Sequence, residues 1–211
     1  MDVNDDFGRR SVRRGTALIL AGGKSSRMGR DKALLPLGNT TVIEFLMARL
    51  RQVCEEVIVV TRLEQPYSSL GASVLFDLMP DKFSLGGLYS GLLQSPAQVN
   101  FVCACDMPLI SPSVVSYLLE LLTDFDVAVP RLEGQVEPLC AVYTKACLPA
   151  IHARLLAGDL RMSGWFDSVR ARFVGKDELQ KHDPKLQSFS NLNTMADYQQ
   201  LLIRIENETA I

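Results

Sequence analysis

The chain has 211 residues, 47% of them apolar and 22% charged, with a formal net charge of −2. Those figures fit one α/β domain with a sizeable core and exclude a disordered or fibrous chain. Without a basic excess, no field of the whole molecule recruits nucleic acid or anionic lipid, so any anion site must be local.

Residues 1–14 carry two arginine pairs, Arg9-Arg10 and Arg13-Arg14, in the manner of a twin-arginine export signal. The apolar segment that follows is only residues 17–21, short of the roughly 7 to 15 apolar residues of a signal core. This stretch therefore reads as a polar, mobile arm, and residues 15–211 as a single domain. No run approaches the ~20 apolar residues of a membrane helix. The five cysteines include no CxxC pair. They sit in apolar or helical patterns, as reduced structural residues of a cytoplasmic protein.

Beyond the arm, short apolar runs recur at 16–21, 55–61, 72–76, 100–105 and 126–130. They are continuous rather than alternating, the pattern of strands buried on both faces. Helical spacing separates them. Residues 41–53 place Val42, Phe45, Leu46, Leu50 and Val53 on one stripe with Arg49 at its edge. Residues 85–93 and 113–122 read as further helices, the second opened by Ser111-Pro112-Ser113. Residues 134–144 read as one strand, 145–156 as a helix, 171–175 as a strand and 193–205 as a closing helix. Strands alternating with helices predict a Rossmann-like, three-layer α/β/α fold with a mostly parallel central sheet.

The stretch AGGKSSRMGRDK, residues 21–32, follows the first predicted strand. A Walker A loop would need glycine where Leu18 stands, and the dinucleotide fingerprint would need glycine at Lys24, so it is neither. A glycine-rich loop at the carboxyl end of a buried strand is still where open α/β sheets bind ligands. Gly22 and Gly23 let backbone N–H groups approach phosphate, and Arg27 and Lys32 supply positive charge. From the residues alone, a solvated basic loop fits as well.

LAGGKSSRMGRDKALLPLG resembles the signature LAGGxSxRMGxDKxLLxLxG of nucleotidyltransferases that act on sugar nucleotides and related substrates. SLGGLYSGL (84–92), CDMPLI (105–110) and NLNTMADYQQL (191–201) follow in family order, and the combination is most similar to the molybdenum cofactor guanylyltransferases. That resemblance implies transfer of GMP from GTP to molybdopterin with Mg²⁺ and release of pyrophosphate. It also implies maturation proteins of molybdoenzymes as receivers of the product, and neither nucleic acid nor membrane as a partner.

By the same resemblance, Arg27, Lys32 and Asp106 form the catalytic set, with Asp106 the metal ligand. Leu20, Ala21, Gly22, Gly23 and Lys32 lie along the nucleotide with Asp77 and Gly87. Asn191 and Asn193 stand beside the metal and the pterin, and Arg161 faces the pterin phosphate. Other readings stay open: Asp106 and Asp77 as strand-end or cap residues, Gly86 and Gly87 as turn chemistry, Asn193 or Thr194 as a helix cap, Lys24 and Arg161 as surface charge, and Asp31 as a turn residue. Two departures from the family pattern stand out. Phe83-Ser84 replaces a Gly-Pro pair and leaves the shape of that loop open, and Val60 replaces an asparagine near the nucleotide.

Overall fold

The computed structural model describes residues 15–22, 32–62 and 67–209. The arm and the loop residues Gly23, Lys24, Arg27 and Asp31 lie outside these. The central sheet starts with β1 (Thr16–Leu20). A two-stranded ribbon, β2 (Pro36–Leu37) with β3 (Thr40–Thr41), leads into α1 (Val42–Leu50) and then β4 (Glu56–Thr61). β5 (Ser73–Phe76), α2 (Phe83–Gln94) and β6 (Val99–Ala104) follow. After α3 (Pro112–Glu120) come β7 (Val127–Leu132), β8 (Gln135–Val136) and β9 (Cys140–Thr144). The chain ends with α4 (Leu148–Leu156), β10 (Ala171–Gly175), the short α5 (Lys176–Leu179) and α6 (Met195–Thr209).

The strand order is β10-β7-β9-β6-β1-β4-β5, with β8 paired to β7. β5, β4, β1 and β6 run parallel, β9 runs against both its neighbours, and β10 is parallel to β7. Sequence reasoning predicted this mostly parallel sheet with helices on both faces. In β1, Ala17 and Ile19 point to the core shared with α1 and α3, and Leu18 and Leu20 to the core shared with α2 and α4. Burial on both sides is why the strand carries no polar alternation. A third, smaller cluster of Leu37, Val42, Leu109, Leu192 and Leu201 docks α6 against the ribbon.

Helix ends follow local chemistry. Thr41 caps α1: its Oγ1 accepts from the Glu44 amide, and the Glu44 carboxylate accepts from the Thr41 amide at 2.8 Å. The helix thus starts one residue later than predicted, at Val42, and stops at Leu50 instead of Val53. Arg49, at its edge, donates to the Ile110 carbonyl at 2.9 Å.

The predicted strand over 134–144 is instead two, β8 and β9. Pro138 has no N–H for the ladder, and a turn closed by the Cys140 amide on the Glu137 carbonyl at 3.0 Å separates them. The helix predicted from Leu85 begins at Phe83. All five cysteines are free; four are buried, and burial pushes the Cys54 and Cys147 thiols up to about 12. No helix among the described residues is long and apolar enough to cross a membrane.

Candidate active site

β1 is the point where the sheet changes direction: the chain places β4 and β5 on one side of it and then β6 on the other. A crevice opens at the carboxyl ends of the strands flanking such a point. Here it is a cavity of about 390 Å³. Each of four neighbouring parallel strands ends in a residue on its wall: Asp77 after β5, Arg62 after β4, Gly22 after β1 and Asp106 after β6. Neighbouring strands are ~4.8 Å apart, so Asp77 and Asp106 stand about 14 Å from each other across three spacings. They cannot share one ion.

Asp106 sits in a turn that the Met107 amide closes on the Ala104 carbonyl at 3.3 Å. Its own carbonyl accepts from the Leu192 amide at 2.8 Å, which ties the 191–193 segment to the end of β6. Burial pushes the Asp106 carboxyl above its ordinary value, and the charge of Lys32 opposes that push. Lys32 donates to the Asn193 side chain at 3.3 Å. Asn191 lines the cavity directly.

A buried relay holds this segment in place. The Asp183 carboxylate accepts from the Ser188 amide and hydroxyl, both at 2.7 Å, and the Ser188 Oγ accepts from the Ser111 amide at 2.9 Å. Thr194 caps α6: its hydroxyl accepts from the Asp197 amide, and the Asp197 carboxylate accepts from the Thr194 amide at 2.7 Å. Capping and placement beside Asp106 therefore hold together.

At the other end, Asp77 Oδ1 accepts from the Met79 amide at 2.9 Å and the Ser90 hydroxyl at 3.0 Å. Those bonds fix the carboxylate, and its Oδ2 lies toward Gly87. A Cβ on Gly87 would stand 3.7 Å from Leu20 and 3.8 Å from Asp77 Oδ2, inside the cavity wall. A Cβ on Gly86 would stand 2.3 Å from the Met79 carbonyl, so Gly86 is required by packing. Val60 is also committed to packing: its Cγ2 would lie 3.0 Å from a Cβ on Gly91 of α2.

The backbone along β1 is less free than expected. The Ala21 amide donates to the Val60 carbonyl at 2.8 Å, and the Ala21 carbonyl accepts from the Thr61 hydroxyl. The Leu20 carbonyl accepts from the Cys105 amide at 3.2 Å. Carbonyls retain a second lone pair, but the Ala21 N–H is taken. Among the described residues, only the Arg62 side chain comes within 4 Å of a Cβ placed on Gly22.

Leu20, Gly22, Asp77, Gly87, Asp106 and Asn191 thus meet on one cavity, and Lys32 and Asn193 join them through Asp106. Arg161 does not line it. Its guanidinium pairs with the Asp159 carboxylate through two bonds, at 2.9 and 2.8 Å.

Sequence reasoning missed two charged residues on the wall. Arg62 has a buried Nε with no hydrogen-bond partner among the described residues. The Glu137 carboxyl is pushed up by burial. Neither belongs to a motif quoted from the sequence. Arg62 was legible only as the first polar residue after a buried strand at the switch point.

A family model for the MobA-like NTP transferase domain matches residues 17–172. The chain is 34% identical over 187 residues to a probable molybdenum cofactor guanylyltransferase of Carboxydothermus hydrogenoformans, covering 89% of this chain and 94% of that one. It is 33% identical over 181 residues to the molybdenum cofactor guanylyltransferase of Desulfosudis oleivorans, covering 85% and 90%. The fold is similar to that of molybdopterin-guanine dinucleotide biosynthesis protein A from Archaeoglobus fulgidus, with a TM-score of 0.79 at 23% identity over 91% of this chain and 99% of that one. Fold, switch-point cavity and these likenesses agree: the chain belongs to the MobA-like NTP transferase family.

Proposed function

We propose that this protein transfers GMP from GTP to the terminal phosphate of molybdopterin, forming a guanine dinucleotide cofactor and pyrophosphate with the help of Mg²⁺. The names of its relatives support the reaction. The observation that carries it is the single cavity across the switch point, with Asp77 at one end and Asp106, under the charge of Lys32, at the other.

A phosphate oxygen of the acceptor attacks the α-phosphorus of GTP. The bond from that phosphorus to the oxygen bridging to the β-phosphate breaks, and pyrophosphate leaves with the electron pair. The step needs alignment and charge neutralisation, and no covalent intermediate on the protein. Lys32, steered by Asn193, brings positive charge to the phosphates, and Arg62 adds a buried donor beside Gly22. Gly23 and Arg27, outside the described residues, are proposed for the triphosphate on their motif alone. Guanine presents two N–H donors on its pairing edge, N1–H and the 2-amino group, where cytosine presents only its 4-amino group. The Oδ2 of Asp77, held in place through Ser90, is the acceptor proposed for them.

Asp106 fits a Mg²⁺ ion. It offers a hard carboxylate oxygen, and no cluster of three or more candidate ligands exists among the described residues. Magnesium is commonly held by one or two carboxylates together with substrate phosphates and water. When bound, the ion would neutralise the triphosphate and the departing pyrophosphate. Mixing protein, Mg²⁺, GTP and molybdopterin tests the reading: pyrophosphate should appear only with all four present. Its release at the same rate without molybdopterin would point to a GTP hydrolase.

A further inference from the structure

Phe83 stands where local energetics would not put it. Its φ of 52° and ψ of −142° form a backbone conformation that glycine adopts freely and a residue with a Cβ rarely does. The residue is 66% exposed, although the same helix buries Leu85 and Leu88 completely. Glycine would relieve the backbone, and a polar residue would relieve the exposure. The chain does neither, and Phe83 lines the central cavity with Ser84 and Gly87.

The place of the ring within the cavity identifies what it meets. Gly87 lies one helical turn further along α2, about 6 Å away along the axis. Its open Cα faces Leu20 and the Oδ2 of Asp77. This end of the cavity therefore has an apolar floor, a carboxylate at the edge and an aromatic ring at the rim. Such a slot suits a planar heterocycle with N–H donors along one edge. Asp106 and Asn191, which lie toward β6 and beyond, are remote from it.

We propose that Phe83 determines nucleotide specificity by stacking on the guanine base of GTP. The proposal rests on the reading of this cavity as the GTP site. A phenyl ring has no hydrogen-bonding group, so it rewards the area of the ring system, larger in a purine than a pyrimidine, and leaves the choice of edge to Asp77.

Two substitutions separate ring from backbone. Phe83→Ala removes the ring and keeps the unfavourable φ, whereas Phe83→Gly removes both. Titration calorimetry with GTP should give an affinity loss of about tenfold or more for each, the range of a base–aromatic stack. Phe83→Trp should stay within about threefold of wild type, since it restores a stacking surface. Inorganic tripolyphosphate, which has no base, should bind all four proteins alike. Only Phe83→Gly should melt higher than Phe83→Ala. Unchanged GTP affinity in both ring-free variants would overturn the proposal. So would an equal loss for GTP and tripolyphosphate, which would mean that the loop had lost its shape. Failure of the wild-type protein itself to bind GTP would instead overturn the reading of the cavity, and the stacking role with it.

Discussion

A carboxyl group at the end of a buried strand feels two opposed effects in Asp106: burial raises its pKa, and the nearby Lys32 lowers it. Burial dominates, so among the described residues the ionised form lacks a sufficient counter-charge. A divalent ion between Asp106 and the substrate phosphates would supply it. Asp106→Asn keeps the shape and removes the charge. It should slow guanylyl transfer by about 100-fold or more, on the order of 3 kcal/mol. Without metal, its melting temperature at neutral pH should equal or exceed that of wild type, because a desolvated charge has gone. Initial rates across a Mg²⁺ series, with a melting scan, check both; an unchanged rate at low Mg²⁺ would remove Asp106 from the metal site. Asp106 and Lys32 were legible in the sequence because they belong to motifs. Arg62 and Glu137 were not, because a lone charge after a strand or inside a turn carries no spacing signal. Arg161, named as a phosphate contact or a surface charge, pairs with Asp159 away from the cavity wall.

α2 lines the cavity with Phe83, Ser84 and Gly87, and its two adjacent glycines have different work. A methyl group on Gly86 would stand 2.3 Å from the Met79 carbonyl and 2.9 Å from the Lys82 Cβ, so backbone would have to move. Gly86→Ala should cost about 1–3 kcal/mol, the usual range for overpacking. Gly87→Ala meets only ordinary contacts at 3.7 Å or more and should leave stability near wild type. Its methyl group would point at Leu20 and Asp77, so it should raise the KM for GTP instead. Thermal melts and GTP kinetics on the pair separate the two roles, and a reversed pattern would contradict this assignment. The sequence reading left turn and ligand roles open for both glycines and did not find the packing role of Gly86, because backbone clearance is a tertiary property. The two-faced strands β1 and β4 were legible from their unbroken apolar runs, whereas the run at 72–76 forms the half-exposed edge strand β5. The division of 134–144 was signalled by Pro138 but hidden by its apolar neighbours, and the Phe83 backbone had no signal beyond the missing glycine.

Over the whole molecule, local periodicity gives the α/β class, while the order β10-β7-β9-β6-β1-β4-β5 depends on crossovers that local patterns do not encode. That order matters for function. It sets Asp77 and Asp106 at opposite ends of one cavity, so the base recognition and the phosphate chemistry proposed for them fall to different strand ends. The central claim is that this cavity selects guanine and delivers GMP to molybdopterin. Competition tests it most directly. Equal concentrations of GTP and CTP are supplied together with Mg²⁺, molybdopterin and the protein, and the dinucleotide products are resolved by mass. The account predicts guanine product in at least about tenfold excess, a difference of ~1.4 kcal/mol in transition-state binding. Equal guanine and cytosine products, or an excess of the cytosine product, would contradict it.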